Sequence, residues 1–275
     1  RVRGRAAMLS GAGFSPLFGP LPPLERALCT YMLDLHTREH GYREVAAPYL
    51  VLGDTLEGTG QLPKFEAEMY RCRDDDLWLI PTAEVPLTNV HRREIVAEDA
   101  LPIRYTAFTP CFRREAGAAG ADTRGLIRMH QFHKVELMSY TRPEDSDAEL
   151  LRIRENAETI LRNLGLPYRV LLLCTGDSSF ASRKTFDLEV WAPGCERWLE
   201  VSSVSTFGDF QARRAGLRFR RADGGKPEYL HTLNGSGLAL PRVLVAILET
   251  YQREDGSVEV PDVLRPYMGW RTELR

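Results

Sequence analysis

The middle of this chain is a succession of extended runs, and most are joined by turn-like segments rather than by regular helical crossovers. They lie at 77–80, 104–112, 132–140, 168–174, 185–192 and 197–203, with shorter pieces at 217–221 and 228–233. In one of them Phe186, Leu188 and Val190 alternate with Thr185, Asp187 and Glu189, the period of a strand covered on one side. Parallel neighbours need a crossover of a dozen residues or more, whereas antiparallel neighbours need only a hairpin. The expectation is therefore an α+β fold, a mainly antiparallel sheet flanked by helices.

Helical spacing appears where the strands pause. Leu24, Ala27, Leu28, Tyr31, Met32 and Leu35 form an apolar stripe, with Gly41 as a stop. Ser146-Asp147-Ala148-Glu149 reads as a capping box opening a second helix. Its buried face is Leu150, Ile153, Ala157, Ile160, Leu161 and Leu164, and Gly165 and Pro167 close it. Asn234-Gly235-Ser236-Gly237 reads as a glycine turn before a last helix from about Leu238 to Tyr251. Residues 11–23 read as a Gly/Pro-rich loop, and Pro48 confines the extended segment 42–51 to a sheet edge or to an interrupted ladder. No repeat or internal linker divides the chain, so residues 1–275 are expected to form one domain.

Composition excludes several classes. No apolar run approaches the ~20 residues of a membrane helix, and the N-terminal RVRGRAAMLSG has too short an apolar segment for a secretory signal. Cys29, Cys72, Cys111, Cys174 and Cys195 are scattered and odd in number, with no C-x-x-C pair. They read as free thiols of a reducing, cytoplasmic compartment, and zinc is not expected. With 36 basic and 38 acidic residues the net charge is −2, so any contact with RNA must be local.

The chemistry is concentrated between Cys111 and Glu136. Arg113 and Glu115, two apart on an expected strand, would share a face. A guanidinium forks onto phosphate or carboxylate oxygens, and a carboxylate can accept from an exocyclic amine. Taken alone, the two read better as a surface ion pair. Phe132, four residues after Arg128, offers a face for a purine or simply a core side chain. His130 and His133 read as scaffold. Between these runs lies the loop 116–125, with three glycines and four alanines. Elsewhere, Thr82-Ala83-Glu84 supplies a hydroxyl and a carboxylate for an ammonium group, or an ordinary helix N-cap. Glu200-Val201-Ser202-Ser203 supplies hard oxygen ligands suited to Mg²⁺. Arg242 sits just inside the last helix, either exposed or aimed at phosphates.

Each piece has a bland explanation, but their order does not. The run CFRREAGAAGADTRGLIRMHQFHKVE (111–136) resembles motif 2 of bacterial-type seryl-tRNA synthetases, a branch of the class II aminoacyl-tRNA synthetases. Residues 41–50 with Pro48 resemble motif 1, PTAEVPLTN (81–89) the serine-binding segment, and HTLNGSGLALPR (231–242) motif 3. FDLEVW (186–191) and EVSSVSTFGDFQARR (200–214) resemble the landmarks between.

The resemblance implies a class II catalytic fold that uses ATP and Mg²⁺ to activate L-serine for the acceptor end of tRNA(Ser), as a homodimer built through the motif 1 region. It implies that Arg113 grips the α-phosphate and the amino-acid carboxylate, and that Glu115 reads adenine. Phe132 would stack on the ring beside the Met129 backbone, and Arg128 and Arg242 would hold the outer phosphates. Glu200 and Ser203, with Val201 and Ser202 between them, would carry Mg²⁺ or phosphate, and Arg114 would join the ATP contacts. Thr82, Ala83 and Glu84 would cradle the serine ammonium; Glu136, Asn234 and Ser236 would line the hydroxyl pocket. Arg113, Arg242, Glu200 and Ser203 would form the catalytic set. The family's N-terminal helical arm for tRNA has no counterpart here, so a trimmed or a naturally armless form is expected. Two other readings are an armless paralogue that loads a carrier protein and a non-catalytic dimeric module, although the latter would have lost the arginines.

Overall fold

The computed structural model describes residues 8–116 and 125–275. Its centre is a seven-stranded sheet in the spatial order β1-β5-β6-β12-β9-β8-β7. These strands are β1 (Arg43–Glu44), β5 (Ile103–Phe112), β6 (Gln131–Thr141), β7 (Tyr168–Leu172), β8 (Lys184–Ala192), β9 (Arg197–Thr206) and β12 (His231–Ala239). All neighbours pair antiparallel except β1, which lies parallel at the β5 edge. The remaining strands form a three-stranded sheet of β4 (Ile95–Ala97), β10 (Arg218–Arg220) and β11 (Glu228–Tyr229), and two pairs. The pairs are β2 (Leu50–Leu52) with β3 (Leu77–Leu79), and β13 (Val258–Glu259) with β14 (Glu273–Leu274). The expected mainly antiparallel α+β architecture is the one observed.

The two faces of the sheet are used differently. Three longer helices, α1 (Leu21–Arg38), α4 (Ser146–Asn163) and α6 (Leu240–Thr250), contribute Leu28, Met32, Ile153, Leu161, Leu244 and Ile247 to one large core. The short helices α2 (Gly53–Thr59), α3 (Glu84–Thr88) and α5 (Phe210–Ala215) belong to the other side. Alternation along β6 makes the division plain. Val135 and Leu137 enter the large core, whereas Met138 and Tyr140 pack with Leu87, Ala212 and Ala215. Lys134 and Glu136 share the latter parity, so the strand delivers two charged side chains to the face opposite the main core.

Two local expectations are overturned. Ser146 and Glu149 do not form a capping box. A 3₁₀ turn at Pro143–Asp145 leads directly into α4, and no side chain caps it. The Ser146 hydroxyl pairs instead with Thr206 Oγ1 at 2.9 Å. The Glu149 carboxylate accepts from Arg104 at 2.6 and 2.7 Å and from Ser139 at 2.8 Å, a stronger, charge-assisted arrangement.

Nor is Asn234–Gly237 a turn: β12 runs straight through it, with a register shift between Ser236 and Leu238, and the last helix begins at Leu240. The glycines are there for closeness rather than for a positive φ. A Cβ on Gly235 would meet Ile153 Cγ2 at 2.6 Å, and one on Gly237 would meet His36 Nε2 at 2.7 Å.

Candidate active site

A cleft of about 500 Å³ opens where β6, β9 and β12 meet α6, the segment following β5 and the segments around residues 60, 82 and 180, a size suited to a small-molecule site. It brings together Thr82, Glu84, Arg113, Glu115, Arg128, Met129, Phe132, Glu136, Glu200, Val201, Ser203, Asn234, Ser236 and Arg242. Three anticipated residues do not line it. Ala83 is packed in the smaller core, the Arg114 side chain is exposed while its N–H donates to Glu68 O, and the Ser202 hydroxyl is buried against Ser236 O at 2.7 Å. The tip of the anticipated loop, residues 117–124, lies outside the described residues.

One wall is cationic and aromatic. Arg113 and Glu115 are not on a strand, because β5 ends at Phe112 and Glu115 takes a left-handed φ of 51°. That conformation is costly for a residue with a Cβ and is tolerated mainly at functional sites and turns. Arg113 is tethered by Nε to Pro81 O at 3.2 Å and lies 5.2 Å from the centre of the Phe132 ring. Its backbone N–H donates to His130 O, so the two flanks of the 117–124 segment are laced together. Arg128 precedes β6 and pairs with Glu115 across the same junction. Arg242 donates to Ile127 O at 3.1 Å and to Glu200 O at 2.7 Å, which holds its guanidinium at the cleft. Much of its tethering is to backbone, leaving charge available to a ligand.

Glu200 and Ser203 are three apart, and an odd interval on a regular strand would put them on opposite faces. A bulge resolves this. Between Leu188 and Glu189 the partner register jumps from Ser202 to Glu200, so Val201 is the extra residue and both oxygens reach the cleft. Asp187 is the cross-strand partner of Ser203, and its side chain bonds the Ser203 hydroxyl. Burial pushes the Asp187 carboxyl up to about 6, and its Oδ1 is buried without a partner. Glu200 and Ser203 bring to the cleft oxygens of the hard kind a divalent cation takes, with Asp187 paired to Ser203.

The floor is a buried polar network. The Thr82 hydroxyl donates to Glu136 Oε2 at 3.0 Å and accepts from Lys134 Nζ at 3.0 Å and from the Glu84 N–H at 3.2 Å. Lys134 lies 2.6 Å from Glu136 Oε2. Glu84 accepts from Gln211 Nε2 at 2.7 Å, and Gln211 is itself fixed by the Thr232 hydroxyl. Burial first, then the nearby Glu136 charge, pushes the Glu84 carboxyl up to about 7. The N-cap of α3 is Ala83 and no side chain caps it, so Thr82 is not an N-cap; its hydroxyl belongs to the buried network. Sequence reasoning missed Lys134 and Gln211. Lys134 carried a signal, being two residues before Glu136 on the same strand; Gln211 reaches the site from α5 and carried none.

This geometry has known counterparts. The model of the tRNA synthetase class II core domain (G, H, P, S and T) matches residues 65–251, and the chain belongs to that family. Within the class, its relatives are serine–tRNA ligases. The one from Syntrophotalea carbinolica is 62% identical over 96% of this chain and 63% of its own length. That from Bacillus cereus is 56% identical over 98% of this chain and 64% of its own. The chain therefore spans a little under two thirds of these relatives. The seryl-tRNA synthetase of Pyrococcus horikoshii, solved with ATP, superposes with a TM-score of 0.95 at 44% identity, covering 99% of this chain and 60% of that one. A Giardia lamblia prolyl-tRNA synthetase at 17% identity and TM-score 0.82 shares the fold. The class II catalytic core is the architecture of this chain.

Proposed function

We propose that the protein activates L-serine with ATP to form seryl-adenylate and passes serine to tRNA(Ser). The observation that carries this reading is a single cleft with an arginine–aromatic wall, an oxygen cluster and a buried carboxylate floor, in a chain whose relatives are serine–tRNA ligases. Phe132 offers the stacking face for adenine and Glu115 the acceptor for its amine. Arg128 and Arg242 meet the outer phosphates, and Arg113 bridges the α-phosphate and the serine carboxylate.

The serine carboxylate is already ionised near neutral pH, so attack on phosphorus needs no general base. What the protein supplies is alignment of that carboxylate with the α-phosphate and cations for the charge that builds on phosphate oxygens. Glu200 and Ser203, with Asp187 beside them, would hold Mg²⁺; bound there, it would neutralise charge on the departing pyrophosphate. Glu84 would take the serine ammonium, while Glu136, Asn234 and Ser236 would face the hydroxyl. A buried acceptor of this kind discriminates against alanine by ~10⁴ or more, since the acceptor would be left unpaired.

The same reading makes residues 1–275 one catalytic domain and gives it a cytoplasmic setting; among the described residues no helix is long and apolar enough to cross a membrane. It also makes the protein a homodimer. Tyr49, Leu50, Leu52 and Val90 are 43–55% exposed, and Leu50, Leu52 and Val90 line an apolar groove that continues through Val45 and Pro48 of the motif 1 region.

The acceptor is tested by incubation with ATP, Mg²⁺, labelled serine and either tRNA(Ser) or a carrier protein. Label on tRNA(Ser) supports the reading; adenylate formed but transferred to the carrier alone contradicts it.

A further inference from the structure

The ion pair in the cleft floor has chemistry that the substrate assignments leave unused. Lys134 and Glu136 leave β6 on the same face, and their side chains are 9% and 1% exposed. A hydroxyl has one proton and two lone pairs. The Thr82 hydroxyl spends the proton on Glu136 Oε2 and both lone pairs on Lys134 Nζ and the Glu84 N–H. None of its capacity remains for an amino-acid ligand. Oε2 of Glu136 is likewise taken, by Thr82 and by the ammonium at 2.6 Å. Among the described residues no hydrogen bond falls on Oε1, which leaves that oxygen to the cleft. Glu84 and Glu136 are both nearly removed from water, and Lys134 is the buried cation that makes two carboxylates in one small site tolerable.

We propose that Lys134 is a positioning residue that sets amino-acid specificity: with the Thr82 hydroxyl it claims one oxygen of Glu136 and presents the other, as an acceptor, to a hydroxyl-bearing amino acid. The inference rests on the reading of the cleft as an amino-acid-activating site. Lys134 does not touch the substrate; it acts through Glu136. Without it the carboxylate loses its fixed rotamer and its counter-charge, and the penalty for an amino acid lacking a hydroxyl shrinks. The side chains proposed for ATP lie on the other wall, so the ATP KM should hold.

The test is a double-mutant cycle read by ATP–pyrophosphate exchange with serine and with alanine. Lys134→Met is expected to raise the serine KM by about tenfold or more, to lower serine-over-alanine selection by a similar factor, and to leave the ATP KM within about twofold. In the Glu136→Gln background the same substitution should change the serine KM by less than about twofold, because the group it positions is gone. Equal effects in both backgrounds, or an unchanged serine KM and selection in Lys134→Met, overturn the proposal. If Lys134→Met fails to fold, Lys134→Arg carries the test. It keeps the charge but not the point geometry, so the serine KM should rise by about fivefold or more while the ATP KM holds; no rise overturns the proposal. Wild-type protein is the control. Absence of serine-dependent exchange there sinks the functional reading itself, whereas exchange with indifferent Lys134 variants sinks only the role of Lys134.

Discussion

Arg113 shows how little of a functional side chain's energy is committed to the fold. Among the described residues its side chain makes one bond to a backbone carbonyl and packs by the Phe132 ring, which leaves guanidinium capacity for anionic partners. Arg113→Ala should therefore lower exchange by about 10²–10³ or more while shifting the melting temperature only slightly. Near-normal exchange would remove Arg113 from the reacting phosphorus. Glu84 makes a second prediction, in pH. Burial raises its carboxyl to about 7, so it is protonated on the acid side and can hold an ammonium only on the alkaline side. The serine KM should fall as pH rises through about 7, by up to tenfold per unit below it. Folding has the opposite linkage: the stability contributed by proton uptake at Glu84 is fully present below the ordinary carboxyl range and is lost as pH rises through about 7. A serine KM flat between pH 6 and 8 would show that Glu84 does not carry the ammonium.

At the scale of elements, β12 is the strand on which packing and chemistry are most tightly combined. It presents Asn234 and Ser236 to the cleft while Gly235 lets Ile153 of α4 approach the backbone. Gly235→Ala should destabilise the protein by about 1–3 kcal/mol, read as a lower denaturation midpoint, because the new methyl meets two side chains of the packed core. Unchanged stability would mean that α4 can move away freely. The same strand shows where sequence was legible and where it was not. Alternation in β8 and helical spacing in α1 and α4 report a local rule repeated many times, and they were readable. Gly235 answers to Val204 and Ile153, and Gly237 to His36, all far away in the chain, so the two looked like part of a turn. Ser146 and Glu149 have the spacing of a cap but are recruited by Thr206, Arg104 and Ser139 from other strands. Arg113, Phe132 and Arg242 were legible only through the order of several motifs. The Val201 bulge that unites Glu200 with Ser203, and the arrival of Gln211 behind Glu84, are tertiary facts with no local trace.

At the scale of the whole molecule, the sheet separates a large helical core from a face that combines a smaller apolar core with the polar cleft. The exposed apolar groove around Leu50, Leu52 and Val90 is the counterpart of that division on the outer surface. Sedimentation equilibrium should give a dimer, and Leu52→Asp should shift it toward monomer; a wild-type monomer at micromolar concentration would contradict the assembly proposed for this face. The proposed chemistry joins ATP to serine in this cleft. The most direct measurement is ATP–pyrophosphate exchange by the 275-residue chain with a panel of amino acids. Exchange should depend on serine and be lost in Arg113→Ala; no exchange with any amino acid, or exchange driven equally well by alanine, would contradict a cleft that joins ATP to serine.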